Sequence, residues 1–156
     1  MQSEEKDKLL TQLSKIEMGL SKIYDHLSQR EEFRKPVRVF WDTMKHEEIA
    51  HAYVFERIRG RIKRDKDFDI EINVSLENLK AFVNKVNQLL ITIKNKSVSE
   101  MEAYNFGAVI EAEYDEASFL RKITTRDESI SRSISQLISD TKKHNLVLAN
   151  HARGVR

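Results

Sequence analysis

Cysteine is absent from the 156-residue sequence. That excludes disulfides, thiolate zinc sites, iron–sulfur clusters and a thiol nucleophile. Proline occurs once and glycine four times. So few breakers among many helix formers favour long helices. An excess of one charge is missing too. Against 27 basic residues stand 25 acidic ones, a net of +2, which argues against holding a polyanion by bulk charge. No apolar run approaches the ~20 residues of a membrane span. The opening MQSEEKDKLL is acidic and polar, unlike a secretory signal. At 40% hydrophobic residues, the chain is long enough for a real core. The expectation is one soluble, cytoplasmic domain over residues 1–156.

What the sequence does contain is helical periodicity. Leu9, Leu13, Ile16, Leu20, Ile23 and Leu27 alternate steps of four and three, which predicts a helix over about 4–28. Val37, Phe40, Trp41, Met44, Phe55, Ile58 and Ile62 predict a second over about 35–64, with Pro36 near its start, where its missing N–H costs nothing. Ser99-Glu-Met-Glu102 reads as a capping box that opens a helix over about 99–122. Thr125-Arg-Asp-Glu128 reads as another, opening a last helix over about 126–150. In the long connection, DKDFDIEIN is irregular or extended. Ser75 then caps an extra helix over about 76–95, although LLITI alone would tolerate a strand. Short connections within each helix pair and a long one between the pairs are the layout of a ferritin-like four-helix bundle, two antiparallel hairpins with a crossover.

The second helix breaks its own pattern. Its apolar stripe passes through positions 48 and 51, which are Glu48 and His51. Residues three apart share one helix face, and a buried carboxylate must be paired or bind a metal. Glu-x-x-His on one face can hand an oxygen and a nitrogen to one ion. A structural hydrogen-bonded pair is the plainer alternative. The zinc-protease reading of His46 to His51 fails, because that motif needs histidines four apart. Glu17 stands at the edge of the first stripe, and His144 fills a core slot between Leu137 and Leu148. On the third bundle helix, Glu111, Glu113 and Glu116 leave the register open. Glu113 is favoured, between Val109 and Ala117. The candidate metal ligands are therefore Glu17, Glu48, His51, Glu113 and His144, with no catalytic residue beyond them. Oxygen and imidazole donors without sulfur suit iron or manganese, with zinc as a further option.

A weak repeat supports the set. EMGLSKIY (17–24) resembles EYDEASFL (113–120), and MKHEEIAH (44–51) aligns with LISDTKKH (137–144), so each hairpin carries a Glu on its first helix and a His on its second. With these words the chain resembles the rubrerythrin-type branch of the ferritin-like di-iron proteins over roughly residues 5–150. The resemblance implies two irons, terminal Glu ligands on helices one and three, bridging Glu residues from helices two and four, and one His per iron. It implies two-electron reduction of hydrogen peroxide or dioxygen, and at least a homodimer.

The chain also departs from that pattern. The fourth helix reads Thr141-x-x-His144 where a Glu-x-x-His is expected. Asp140 is turned ~100° away, so the carboxylates fall to three, and the ion nearer His144 is expected to be weakly held or missing. Leu120 stands where helix one has Tyr24. Thr141 reads as a small packing residue bonded back to its own helix. Tyr24 and Tyr114 read as core or supporting residues, Tyr24 as a donor to a ligand carboxylate. Without cysteines there is no rubredoxin-type centre, so electrons would come from a separate donor. The alternatives are a degenerate ferritin-like protein that binds or stores one metal without turnover, and a metal-free helical module. The basic run RIRGRIKRDK (57–66) reads as cations at a helix C-terminus, not a nucleic-acid site, since no stacking platform accompanies it.

Overall fold

The computed structural model of the protein describes residues 1–154. Its first hairpin is α1 (Ser3–Ser28) with α2 (Lys35–Arg64). The crossover holds β1 (Ile70–Ile72) and α3 (Leu76–Lys94). Then come α4 (Glu100–Tyr114), α5 (Glu116–Arg121), β2 (Ile123–Thr125) and α6 (Glu128–Ala152). The chain is an all-α bundle with one small antiparallel sheet. Among the described residues, no helix is long and apolar enough to cross a membrane.

The elements follow from local chemistry. Pro36 lies in the first turn of α2, where no intrahelical donor is lost. Ser75 Oγ accepts the Asn78 N–H at 3.2 Å and caps α3. Ser99 and Glu102 close the expected capping box at the start of α4. On α1 the whole predicted stripe is buried, and so is Gly19 on one flank of it. That flank receives α3: a Cβ on Gly19 would stand 2.6 Å from Val86 Cγ1. Thus α1 is enclosed by α2 on one side and α3 on another, while α4 and α5 pack against α6. Trp41 joins the hairpins at one end, stacked between Tyr24 and Tyr104 at 5.3 and 5.6 Å.

Two expectations need correction. The helix expected over 99–122 is two helices. Asp115 adopts the left-handed conformation (φ 45°, ψ 56°) and separates α4 from α5. Aspartate tolerates that conformation better than most residues. The last helix begins at Glu128 with Asp127 as its cap, accepting the Ile130 N–H at 2.9 Å. Thr125 belongs instead to β2, and its hydroxyl accepts the Asp127 N–H at 3.1 Å. The segment expected to be irregular or extended does hold extended chain, β1, which pairs with β2 in the register Ile70↔Thr125 and Ile72↔Ile123. Ile70 and Ile72 face the core while Glu71 faces out.

Close packing at Gly107 predicts the cost of filling it. A Cβ there would lie 2.8 Å from Trp41 Cη2 and 3.3 Å from Leu148 Cδ2. Gly107→Val is expected to destabilise the fold by about 2 kcal/mol through overpacking. Gly60→Ala, whose Cβ meets only Arg64 Nη1 at 3.4 Å, should stabilise it by roughly 0.5–1 kcal/mol. Urea unfolding of the two variants measures both signs.

Candidate metal centre

Four of the five expected ligands converge in the bundle core. Glu17 comes from α1, Glu48 and His51 from α2, and His144 from α6. Glu17 and Glu48 are fully buried, His51 is 3% exposed and His144 7%. The fifth does not join them. Glu113 faces solvent, with its side chain 43% exposed and paired with Lys85 of α3. Val109, taken as its core neighbour, is 56% exposed. The inward stripe of α4 is Tyr104, Gly107, Glu111 and Tyr114, and two residues of helix turn through ~200°. Glu111 therefore points in where Glu113 points out.

The left-handed Asp115 adds a second carboxylate. Glu111 and Glu116 would lie ~140° apart on one unbroken helix. With the break between them both are buried, at 2% and 1% exposure. Glu17, Glu48, His51 and Glu116 bring one ligand atom each to within 4.8 Å of one another. His51 Nδ1 lies 3.5 Å from Glu116 Oε1 and 3.9 Å from oxygens of both Glu17 and Glu48. On the other side of Glu48, Oε1 lies 3.2 Å from His144 Nδ1. Glu48 thus reaches both imidazoles, one with each oxygen, and the two rings stack on each other at 5.6 Å.

Two tyrosines cross-link the hairpins at this level. The Tyr24 hydroxyl donates to Glu111, and the Tyr114 hydroxyl donates to Glu17 Oε1 at 3.3 Å. Tyr24 therefore does support a buried carboxylate, but one that the expected register placed elsewhere. The other nitrogen of His144, Nε2, faces the Glu47 carboxylate. A carboxylate behind an imidazole fixes which ring nitrogen points inward.

Without an ion the pocket holds an electrostatic conflict. Burial, then the Glu116 and Glu48 carboxylates, raises the Glu17 pKa well above its usual range. Burial and Glu48 raise Glu111 likewise, against the Tyr24 hydrogen bond. Burial would raise Glu48 too, but contacts with Glu17 and with both histidines outweigh it and hold Glu48 low. Burial would lower His51, but Glu116 and Glu48 outweigh it and raise it to about 9. His144 is raised by Glu48 and Glu47 against the same opposing effect of burial. Several buried atoms find no hydrogen-bond partner: Glu17 Oε2, both Glu48 oxygens, His51 Nδ1, Glu116 Oε1 and Thr141 Oγ1. Protons and cations are what such a set lacks. A divalent ion satisfies oxygen and nitrogen atoms together, so the residues present fit a metal.

The pocket reaches solvent between α2 and α6. A cavity of about 160 Å³ lined by Glu47, Ala50, His51, Asp140, Lys143 and His144 opens there. No protein-family model, curated protein or solved structure matches this chain. What these observations define is the class: an all-α bundle with a buried carboxylate and histidine cluster able to hold a metal ion.

The pKa shifts set a pH dependence for the metal-free protein. Glu17 and Glu111 bind protons more tightly folded than unfolded, so their contribution falls as pH rises above the ordinary 4.5. The His51 contribution is complete below its ordinary 6.5 and is lost as pH rises through about 9. Glu48 acts oppositely, but only as pH falls through the carboxyl range. Thermal melts of chelated protein should therefore show falling stability from about pH 6 to about pH 9.5. Glu111→Gln keeps an acceptor for Tyr24 and removes one charge, so it should flatten that slope and raise the melting temperature at the alkaline end.

Proposed function

We propose that this chain is a rubrerythrin-like di-iron oxidoreductase that reduces hydrogen peroxide or dioxygen within its bundle core. One observation carries the reading. Glu17, Glu48, Glu111 and Glu116 lie buried with His51 and His144, and four carboxylates balance two divalent cations. The carboxylate missing at position 141 is made up from α4 and α5, which give two where one was expected. Glu17, His51 and Glu116 would serve one ion, Glu111 and His144 the other, with Glu48 between them. Bound iron would supply electrons and polarise the O–O bond.

The chain's own residues do the rest. Tyr24 and Tyr114 orient Glu111 and Glu17 by hydrogen bonds. Glu47 holds the outer face of His144. The packed helices keep bulk water from all but the opening between α2 and α6. With no cysteine in the sequence, electrons would come from a separate donor protein. A second reading rests on the compact group of Glu17, Glu48, His51 and Glu116. That group alone would hold a single ion without turnover, and Glu111 would stay protonated beside Tyr24.

Metal content of protein purified without chelator separates these readings. Two irons per chain, with an absorbance change on adding peroxide, is the expected result. One metal supports the second reading. None, with a melting temperature unmoved by Fe(II), overturns both. Glu48→Ala should remove both ions, because Glu48 touches both halves of the cluster.

A further inference from the structure

Thr141 is buried, as a small packing residue would be, but its hydroxyl does not bond back to its own helix. Four threonines lie within helices. Thr11, Thr43 and Thr92 each donate to the carbonyl four residues back, at 2.7, 3.0 and 3.0 Å. That bond is the default resting place of a helical threonine hydroxyl. Thr141 is the fourth. It is 1% exposed, and its Oγ1 has no hydrogen-bond partner. An unsatisfied buried hydroxyl is costly, and the Leu137 carbonyl, four residues back, is where the pattern of the other three would have put it.

Its position explains what the hydroxyl faces. Thr141 and His144 are three residues apart, so they share one face of α6. His144 on that face presents Nδ1 to Glu48 at 3.2 Å. Thr141 therefore lies one turn along the inner face of the cluster, in the slot where the repeat calls for a carboxylate. A carboxylate there would occupy the cluster permanently. A threonine is shorter, carries no charge and offers one hydroxyl that can both donate and accept. The opening between α2 and α6, about 160 Å³, is lined on α6 by Asp140, Lys143 and His144, with Thr141 buried behind it.

Resting on the di-metal reading above, we propose that Thr141 is the hydrogen-bonding residue for an exogenous ligand of the cluster. That ligand belongs to the class of peroxide-sized molecules with two or three heavy atoms. The hydroxyl that the helix leaves unpaired is paired only when that ligand is present. Thr141 thus selects and orients the small molecule and does not hold metal.

Azide, a three-atom anion, is the probe. Its affinity for iron-loaded protein is followed by optical titration in wild type, Thr141→Val and Thr141→Ser, alongside iron content and the melting temperature of chelated protein. Thr141→Val should keep full iron, melt higher than wild type when metal-free, and bind azide about tenfold more weakly, the loss expected for one hydrogen bond to a charged group. Thr141→Ser should bind azide within about threefold of wild type, having kept the hydroxyl. Full iron with unchanged azide affinity in Thr141→Val overturns the assignment alone. Lost iron in Thr141→Val overturns it too, by making Thr141 part of the metal's own support. No iron in the wild type overturns the di-metal reading beneath it.

Discussion

Four carboxylates share one nearly dry pocket, and the rest of the core is organised by that repulsion. Glu17, Glu48, Glu111 and Glu116 are each at most 2% exposed, where an uncompensated charge is prohibitive. The neighbours are those that such a set requires. Two imidazoles flank Glu48, and two tyrosine hydroxyls reach Glu17 and Glu111. Protons can relieve the conflict in part, which is why Glu17 and Glu111 hold theirs so tightly. Divalent cations relieve it more fully, since they replace protons on oxygens and nitrogens alike. Helices that would pack more stably around leucines are instead spent on enclosing charge. Apolar side chains on α1, α2 and α6 to either side of the cluster offset this in the remaining core.

Much of this was legible in the sequence because helical periodicity is a long-range signal. A carboxylate in a slot that recurs every three or four residues stands out against twenty residues of pattern, as Glu48, His51 and His144 do. The two tyrosines were legible as core residues, though not which carboxylate each would meet. The missed features are short or non-local. Asp115 breaks a helix without proline or glycine, and a single left-handed residue leaves no periodic trace. The α4 register was misread because Val109 and Phe106 resemble a core stripe, whereas Tyr104, Gly107, Glu111 and Tyr114 form the true one. A glycine placed against Trp41 signals a close helix approach only once the partner is known. The strands β1 and β2 have three residues each and lie some fifty apart, so neither announces itself alone.

The two hairpins are related but unequal. Tyr24 of α1 reaches Glu111 of α4, Tyr114 of α4 reaches Glu17 of α1, and the two histidines stack across the seam of α2 and α6. That reciprocity is not the faint internal repeat, which aligned Glu17 with the solvent-facing Glu113 and Tyr24 with Leu120. The inequality lies in one exchange. Helix α6 carries Thr141 where α2 carries Glu48, while the break at Asp115 lets the other helix of the same hairpin bring two carboxylates inward. The number of acids is preserved and one wall of the pocket is left with a hydroxyl.

The central claim is that Glu48 lies between two bound cations. Anomalous X-ray diffraction from crystals grown with Fe(II) locates ions directly. Two peaks are expected, one against Glu17, His51 and Glu116 and the other against Glu111 and His144, with Glu48 touching both. No peak in the core, or density only at exposed carboxylates such as Glu113, would contradict it.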